Sequence, residues 1–244
     1  MSLRGRSAFV ALLLACVVSS PAFAGIVPYV RLDYGASMLN LPSIDEQVSY
    51  EEEEFFWAGL PVDFDTAEKA MGPSGSAGLW LFPGFRVGAS WADSRSKVNN
   101  PVELSGFTYS DNFFIRMKDV GGEAAFRIPR LGGLMLGGSI AQTKAEMSEA
   151  YTLINVHGSY YEAELASTSG QTYGGFVGFD QTNASGVAGY VRVGYMHRDL
   201  GTVPTTLTIV DNGTTTVTTG TPFSFDYSGY YVRAGVGFDF HFGR

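Results

Sequence analysis

The stretch that most constrains the fold lies near the end of the chain, residues 224–242, because alternate positions there carry two different chemistries. One parity reads Tyr230, Val232, Ala234, Val236, Phe238, Phe240 and Phe242, and the other Tyr231, Arg233, Gly235, Gly237, Asp239 and His241. A period of two marks a β-strand whose faces meet different surroundings. In a soluble sandwich the polar face would meet water, yet it carries Gly235 and Gly237, which suit a place where side-chain room is short. Apolar residues facing lipid and a crowded polar lumen explain charge and glycine together, with aromatic residues near the membrane boundary.

Similar alternation recurs along the chain. Val30, Leu32, Tyr34, Ala36 and Met38 oppose Arg31, Asp33, Gly35 and Ser37; Phe85, Val87, Ala89 and Trp91 oppose Arg86, Gly88 and Ser90. Val120, Gly122, Ala124, Phe126 and Ile128 oppose Glu123 and Arg127, while Phe113, Ile115 and Met117 fall in the other phase. That change of phase requires either a bulge near residues 118–120 or an extension of the strand beyond the lipid. Residues 134–149, 163–180 and 187–198 supply further strands, and 76–82 a short one with apolar residues on both parities. Eight segments result, joined by short turns at Pro83, Pro129 and Thr182 and by longer polar loops near 40–75, 99–111, 150–162 and 202–222. Strict alternation of short and long connections predicts an all-β, eight-stranded antiparallel up-and-down transmembrane β-barrel with both termini on the periplasmic side. A soluble β-sandwich, the rival architecture, gives no reason for that rhythm.

The opening of the chain predicts its compartment. Arg4 and Arg6, an apolar run over 8–18 and the small-residue region ending Ala22-Phe23-Ala24 form a secretory signal peptide over 1–24, leaving 25–244 as the barrel. The apolar run falls short of the ~20 residues of a spanning helix, which argues against a retained anchor. Leu13-Leu14-Ala15-Cys16 loosely resembles a lipobox, but the cysteine sits inside the apolar run. Cys16 is the chain's single cysteine, so the mature protein has no disulfide or thiol chemistry. Loss of Arg4 and Arg6 takes the formal charge from -8 to -10, a balance that excludes nucleic acid as a partner. Nine acids lie within 40–75, which is read as an exposed extracellular loop, with 65–71 able to form one helical turn.

Charge placement supports the assignment of faces. An Arg or Lys on the lipid face at the bilayer midplane costs roughly 2–4 kcal/mol. With the assigned phase Arg31, Asp33, Arg86, Glu123, Arg127, Arg192, Arg233 and Asp239 point into the lumen, where they are expected to form an ion-pair network. The chain then resembles the small eight-stranded outer-membrane barrels of Gram-negative bacteria: the OmpA transmembrane domain, OmpX and OmpW. The resemblance rests on the signal peptide, the eight alternating strands and the aromatic final strand. It implies the cell outer membrane as location, with outer-membrane lipid and lipopolysaccharide as surroundings. It also implies a barrel-insertion machinery that reads the C-terminal strand, although Gly243 and Arg244 follow Phe242 here.

Chemical motifs are sparse. His157-Gly158-Ser159 is similar to the His-x-Ser of outer-membrane lipid A deacylases, with Glu162 or Glu164 as a candidate acid. The surrounding pattern is absent, and a polar loop is the simpler reading. Glu51, Glu52, Glu53 and Glu54 offer oxygen ligands to divalent cations, but consecutive residues do not converge on one ion, so the run reads as a solvated acidic loop. No catalytic, cofactor or metal residue is therefore assigned. The expected function is that of a non-enzymatic outer-membrane barrel with a filled lumen and exposed loops. A narrow passive channel for small apolar solutes, as the OmpW resemblance would imply, and a lipid A-modifying enzyme using His157 and Ser159 remain as alternatives.

Overall fold

The computed structural model describes residues 26–39, 42–57, 62–65, 68–82, 84–104, 106–128 and 130–241. The predicted signal peptide and Phe242 lie outside the described residues. In chain order the elements are β1 (Val27–Met38), α1 (Pro42–Trp57), β2 (Lys69–Phe82), β3 (Phe85–Leu104), β4 (Phe107–Arg127), β5 (Leu134–Asn155) and β6 (Gly158–Thr182). They continue with β7 (Val187–His197), β8 (Asp199–Val203), β9 (Thr206–Asp211), β10 (Thr214–Thr219), β11 (Phe223–Asp226) and β12 (Gly229–Asp239). Strands β1 to β7 and β12 form an antiparallel ring that closes where β12 pairs with β1 and with β7, and β7 with β6. The chain is thus the expected eight-stranded barrel, with an ectodomain built on one end.

The phase problem in β4 resolves without a bulge. Register is continuous from Phe107 to Arg127 on both neighbours, and odd-numbered side chains point inward throughout. What inverts is polarity. Below Asp119 the inward face carries Glu123 and Ala125 and the outward face Val120 and Phe126; above it the inward face carries Met117, Ile115 and Phe113, all buried, and the outward face Lys118 and Arg116. Neighbouring strands invert at the same height: Trp91 is followed outward by Asp93, Ile140 by Gln142 and Lys144, and Tyr173 is preceded by Gln171. A strand apolar-out is in lipid and one apolar-in is in water, so this line marks one boundary of the membrane. The lower belt exposes Leu32, Val120, Ile140, Val177, Val193 and Val236, a surface too apolar for water.

Several expectations need correction. The segments 99–111 and 150–162 are not loops but the paired tips of β3–β4 and β5–β6, zipped to Leu104↔Phe107 and Asn155↔Gly158. Residues 69–71 are strand, not a helical turn: β2 spans 14 residues, and the helix lies earlier, over Pro42–Trp57, with proline at its first position. The apparent mixed phase of 76–82 arises because Trp80 is an inward aromatic, buried beside Tyr29. The final strand starts at Gly229 rather than 224, because Phe223–Asp226 belong to the ribbon β8–β11. Residues 206–219 form a hairpin whose Asn212 (φ 45°) and Gly213 (φ 85°) supply the left-handed turn.

Above the membrane β6 changes partner: Tyr173 to Thr182 pair with β7, Tyr160 to Leu165 with β9. The sheet β3–β4–β5–β6–β9–β10 therefore rises as a wall beyond the lipid belt. Its inner face packs on Val48 and Phe55 of α1, on Phe64, and on Phe223, Phe225 and Tyr227 of the β8–β11 segment. Phe55 meets Tyr109 edge-on at 4.8 Å between ring centroids.

Candidate functional site

The lumen begins at the end with the short turns, with Tyr29, Trp80 and Met135, all buried. Asp180, fully buried on β6, accepts hydrogen bonds from Arg31 Nε at 3.1 Å and Arg86 Nη1 at 2.9 Å, and Arg127 Nη2 stands within ion-pair distance at 3.6 Å without a hydrogen bond. Arg31 also reaches Asp239 at 2.8 Å and donates to the Val30 and Phe238 carbonyls. The Arg127 guanidinium lies 4.6 Å over Trp80, whose indole N–H donates to Asp239. One level higher Arg192 bridges Glu123 (2.8 Å) and Asp33 (3.0 Å), Arg86 approaches Glu123 at 3.5 Å, and Ser74 and Tyr190 donate to Asp33.

Seven of the eight residues expected in the lumen network thus meet within two linked ion clusters, joined by Arg86. Arg233 departs from the expectation. Among the described residues it makes no ion pair; its guanidinium stacks 4.8 Å from the Tyr231 ring centroid. Asp180 was missed, although Phe176 and Gly178 on its own parity point inward and flagged it. A third pair was missed too: Arg198 and Asp119 at 2.7 Å, with Thr143 donating to Asp119, at the level where the lumen meets the ectodomain core. Room for these side chains comes from β12: a Cβ at Gly237 would sit 2.5 Å from Arg31 Cδ, and one at Gly235 2.7 Å from Asp33 Cβ.

The alternative His-Ser centre is not assembled. His157 is exposed at the β5–β6 tip, where its backbone N–H, not its ring, bonds Asn155. Glu162 accepts from Tyr160 at 2.5 Å, which pushes that phenol up to about 12. The glutamate run also divides: Glu52 accepts the Phe64 N–H, Glu53 pairs with Trp57, and Glu51 turns inward to accept from Tyr109 at 2.6 Å. There it meets Asp111 and Glu149, one carboxylate oxygen of each lying within 4.8 Å of the others. Burial, then the neighbouring Glu51 charge, pushes the Asp111 carboxyl up to about 7.

Just above the lipid boundary the outward face is cationic: Arg95 and Lys97 on β3, Arg116 and Lys118 on β4, Lys144 on β5. Asp93 binds Arg116 and Arg95, which holds its carboxyl well below the usual range, and Glu146 binds Lys144.

No protein-family model matches this chain, and no curated protein matches it. Among solved structures it is similar to Ail, the attachment invasion locus protein of Yersinia pestis, in complex with the heparin analogue sucrose octasulfate, at 12% identity over 88% of this chain and 99% of that one (TM-score 0.47). It is similar to the outer membrane protease OmpT from Escherichia coli at 11% over 90% and 98% (TM-score 0.47). It is also similar to the outer membrane protein OprG from Pseudomonas aeruginosa at 12% over 89% and 97% (TM-score 0.47). The barrel assignment rests on this chain's own strand pairing and exterior.

Proposed function

We propose that this is a non-enzymatic outer-membrane barrel whose lumen is closed and whose working surface is the extracellular wall with its helix and ribbons. The observation that carries the reading is the Asp180 cluster: one buried carboxylate ties arginines of β1, β3 and β4 across the lumen. Every carboxylate of the network is engaged by arginine, so the interior is occupied by its own side chains. Above it the apolar ectodomain core forms a second closure. The cationic belt of Arg95, Lys97, Arg116, Lys118 and Lys144 stands where anionic lipopolysaccharide headgroups would lie, which supports lipopolysaccharide as a neighbour.

Surface display is tested with single cysteines, since the chain's one cysteine lies in the predicted signal peptide. Val217→Cys on exposed β10 should react with a membrane-impermeant maleimide in intact cells. Ser185→Cys, in the exposed turn between β6 and β7, should react only after the outer membrane is opened. The reverse pattern would place the ectodomain in the periplasm and overturn the reading.

A further inference from the structure

We propose that Glu51, Asp111 and Glu149 form a calcium site that clamps α1 to the extracellular wall. The three come from separate elements, α1, β4 and β5, and converge although 98 residues of sequence separate the outermost two. On the wall the register opposes Asp111 to Tyr151 and Phe113 to Glu149, so the two carboxylates are neighbours on one inner face. Glu51 comes across from the helix, positioned by the Tyr109 hydroxyl.

Two observations point to a cation rather than to a solvated acidic patch. Asp111 is only 5% exposed, and among the described residues its Oδ1 has no hydrogen-bond partner. A buried carboxylate oxygen left this way is costly unless something positive completes it. The three oxygens are also close enough to share one ion: calcium takes oxygens at about 2.3–2.6 Å, so two oxygens across it stand about 5 Å apart, and all three lie within 4.8 Å of one another. Magnesium, which demands near-ideal octahedral geometry and gives up its water reluctantly, is less suited to a site made of protein carboxylates.

Calcium would then govern how firmly α1 is held, and with it the exposed Tyr50, Phe56 and Trp57 that the helix presents outward. This inference stands apart from lumen closure, because it is read on purified protein whether or not the barrel conducts.

The test is calorimetric titration of CaCl2 into the chelator-treated full mature chain, folded in detergent. The expected result is one saturable site per chain, with a Kd in the range of about 10⁻⁴–10⁻³ M that extracellular calcium sites show, and weaker binding of MgCl2. Asp111→Asn should weaken calcium at least tenfold, while Glu53→Gln, in the same run but bonded to Trp57 on the exposed face, should leave it unchanged. If Asp111→Asn does not fold, Glu149→Gln serves in its place. As a second readout, Tb3+ bound at the site should show luminescence sensitised by Tyr109, and CaCl2 should quench it. Absence of saturable binding, equal binding by wild type and Asp111→Asn, or equal losses in Asp111→Asn and Glu53→Gln would each overturn the site.

Discussion

Replacing Asp180 by asparagine separates a built lumen network from a collection of inward charges. The substitution keeps size and removes the negative charge that three arginines share. Arg31 retains Asp239 at 2.8 Å and Arg86 retains Glu123 at 3.5 Å, but Arg127 loses its one carboxylate within ion-pair distance. Arg127 is a third exposed and can be rehydrated, but Arg31 and Arg86 stay desolvated when they lose this direct partner, and removing one partner from a buried pair costs about 3–5 kcal/mol. With an m-value near 2 kcal/mol/M that cost lowers a urea midpoint by roughly 2 M. The assay is reversible urea unfolding of the barrel refolded in lipid vesicles, followed by tryptophan fluorescence, to which Trp80, packed on Arg127, contributes together with Trp57 and Trp91. Glu53→Gln, on the exposed face of α1, is the control and should stay within about 0.5 kcal/mol of wild type. A loss below about 1 kcal/mol for Asp180→Asn would refute the reasoning, since three arginines would then be shown to do without their shared carboxylate.

Glu123→Gln should fall between the two, at about 1.5–3 kcal/mol, because Arg192 keeps Asp33 and Arg86 keeps Asp180; the same unfolding series gives the order. With chelator present, the ectodomain should lose stability as pH rises from about 4 to 7. The raised Asp111 value means that the folded state holds a proton which the unfolded state has released, so stabilisation is full at low pH and fades as pH approaches about 7. Glu51, Glu149 and the phenols of Tyr109 and Tyr151 surround that carboxyl. The measurement is the melting temperature of the wild type against Asp111→Asn from pH 4 to 8, and the variant should show the shallower slope. Identical slopes would mean that Asp111 does not titrate in this way.

Much of the barrel was legible because parity is local information. Residues such as Arg31, Glu123 and Arg192 declared their side by what stood two positions away, and the glycines of the final strand declared how little room their side had. Asp180 shared that parity with Gly178 but sat beside a turn, where a carboxylate looks like an ordinary strand end; its role depends on arginines 149 and 94 residues distant. Arg233 shows the converse, since parity gives a direction and not a partner. The ectodomain was the illegible part. The rise of β3 to β6 above the lipid exchanges the inward and outward chemistries, so a reader holding one template sees an error of phase where Ile115 and Met117 in fact begin a second core. Helix α1 was hidden by its acids, which read as solvent-facing until Glu51 is seen against Asp111 and Glu149. Contacts of that kind join segments far apart in sequence and leave no periodic trace.

Closure of the lumen is the central claim, and planar-bilayer recording of the purified, refolded wild type tests it most directly. With Asp180 and Glu123 engaging arginines from four strands, and an apolar core above them, insertion should give no steady conductance at neutral pH. A stable, reproducible open level in the wild type would contradict the account and make the barrel a channel.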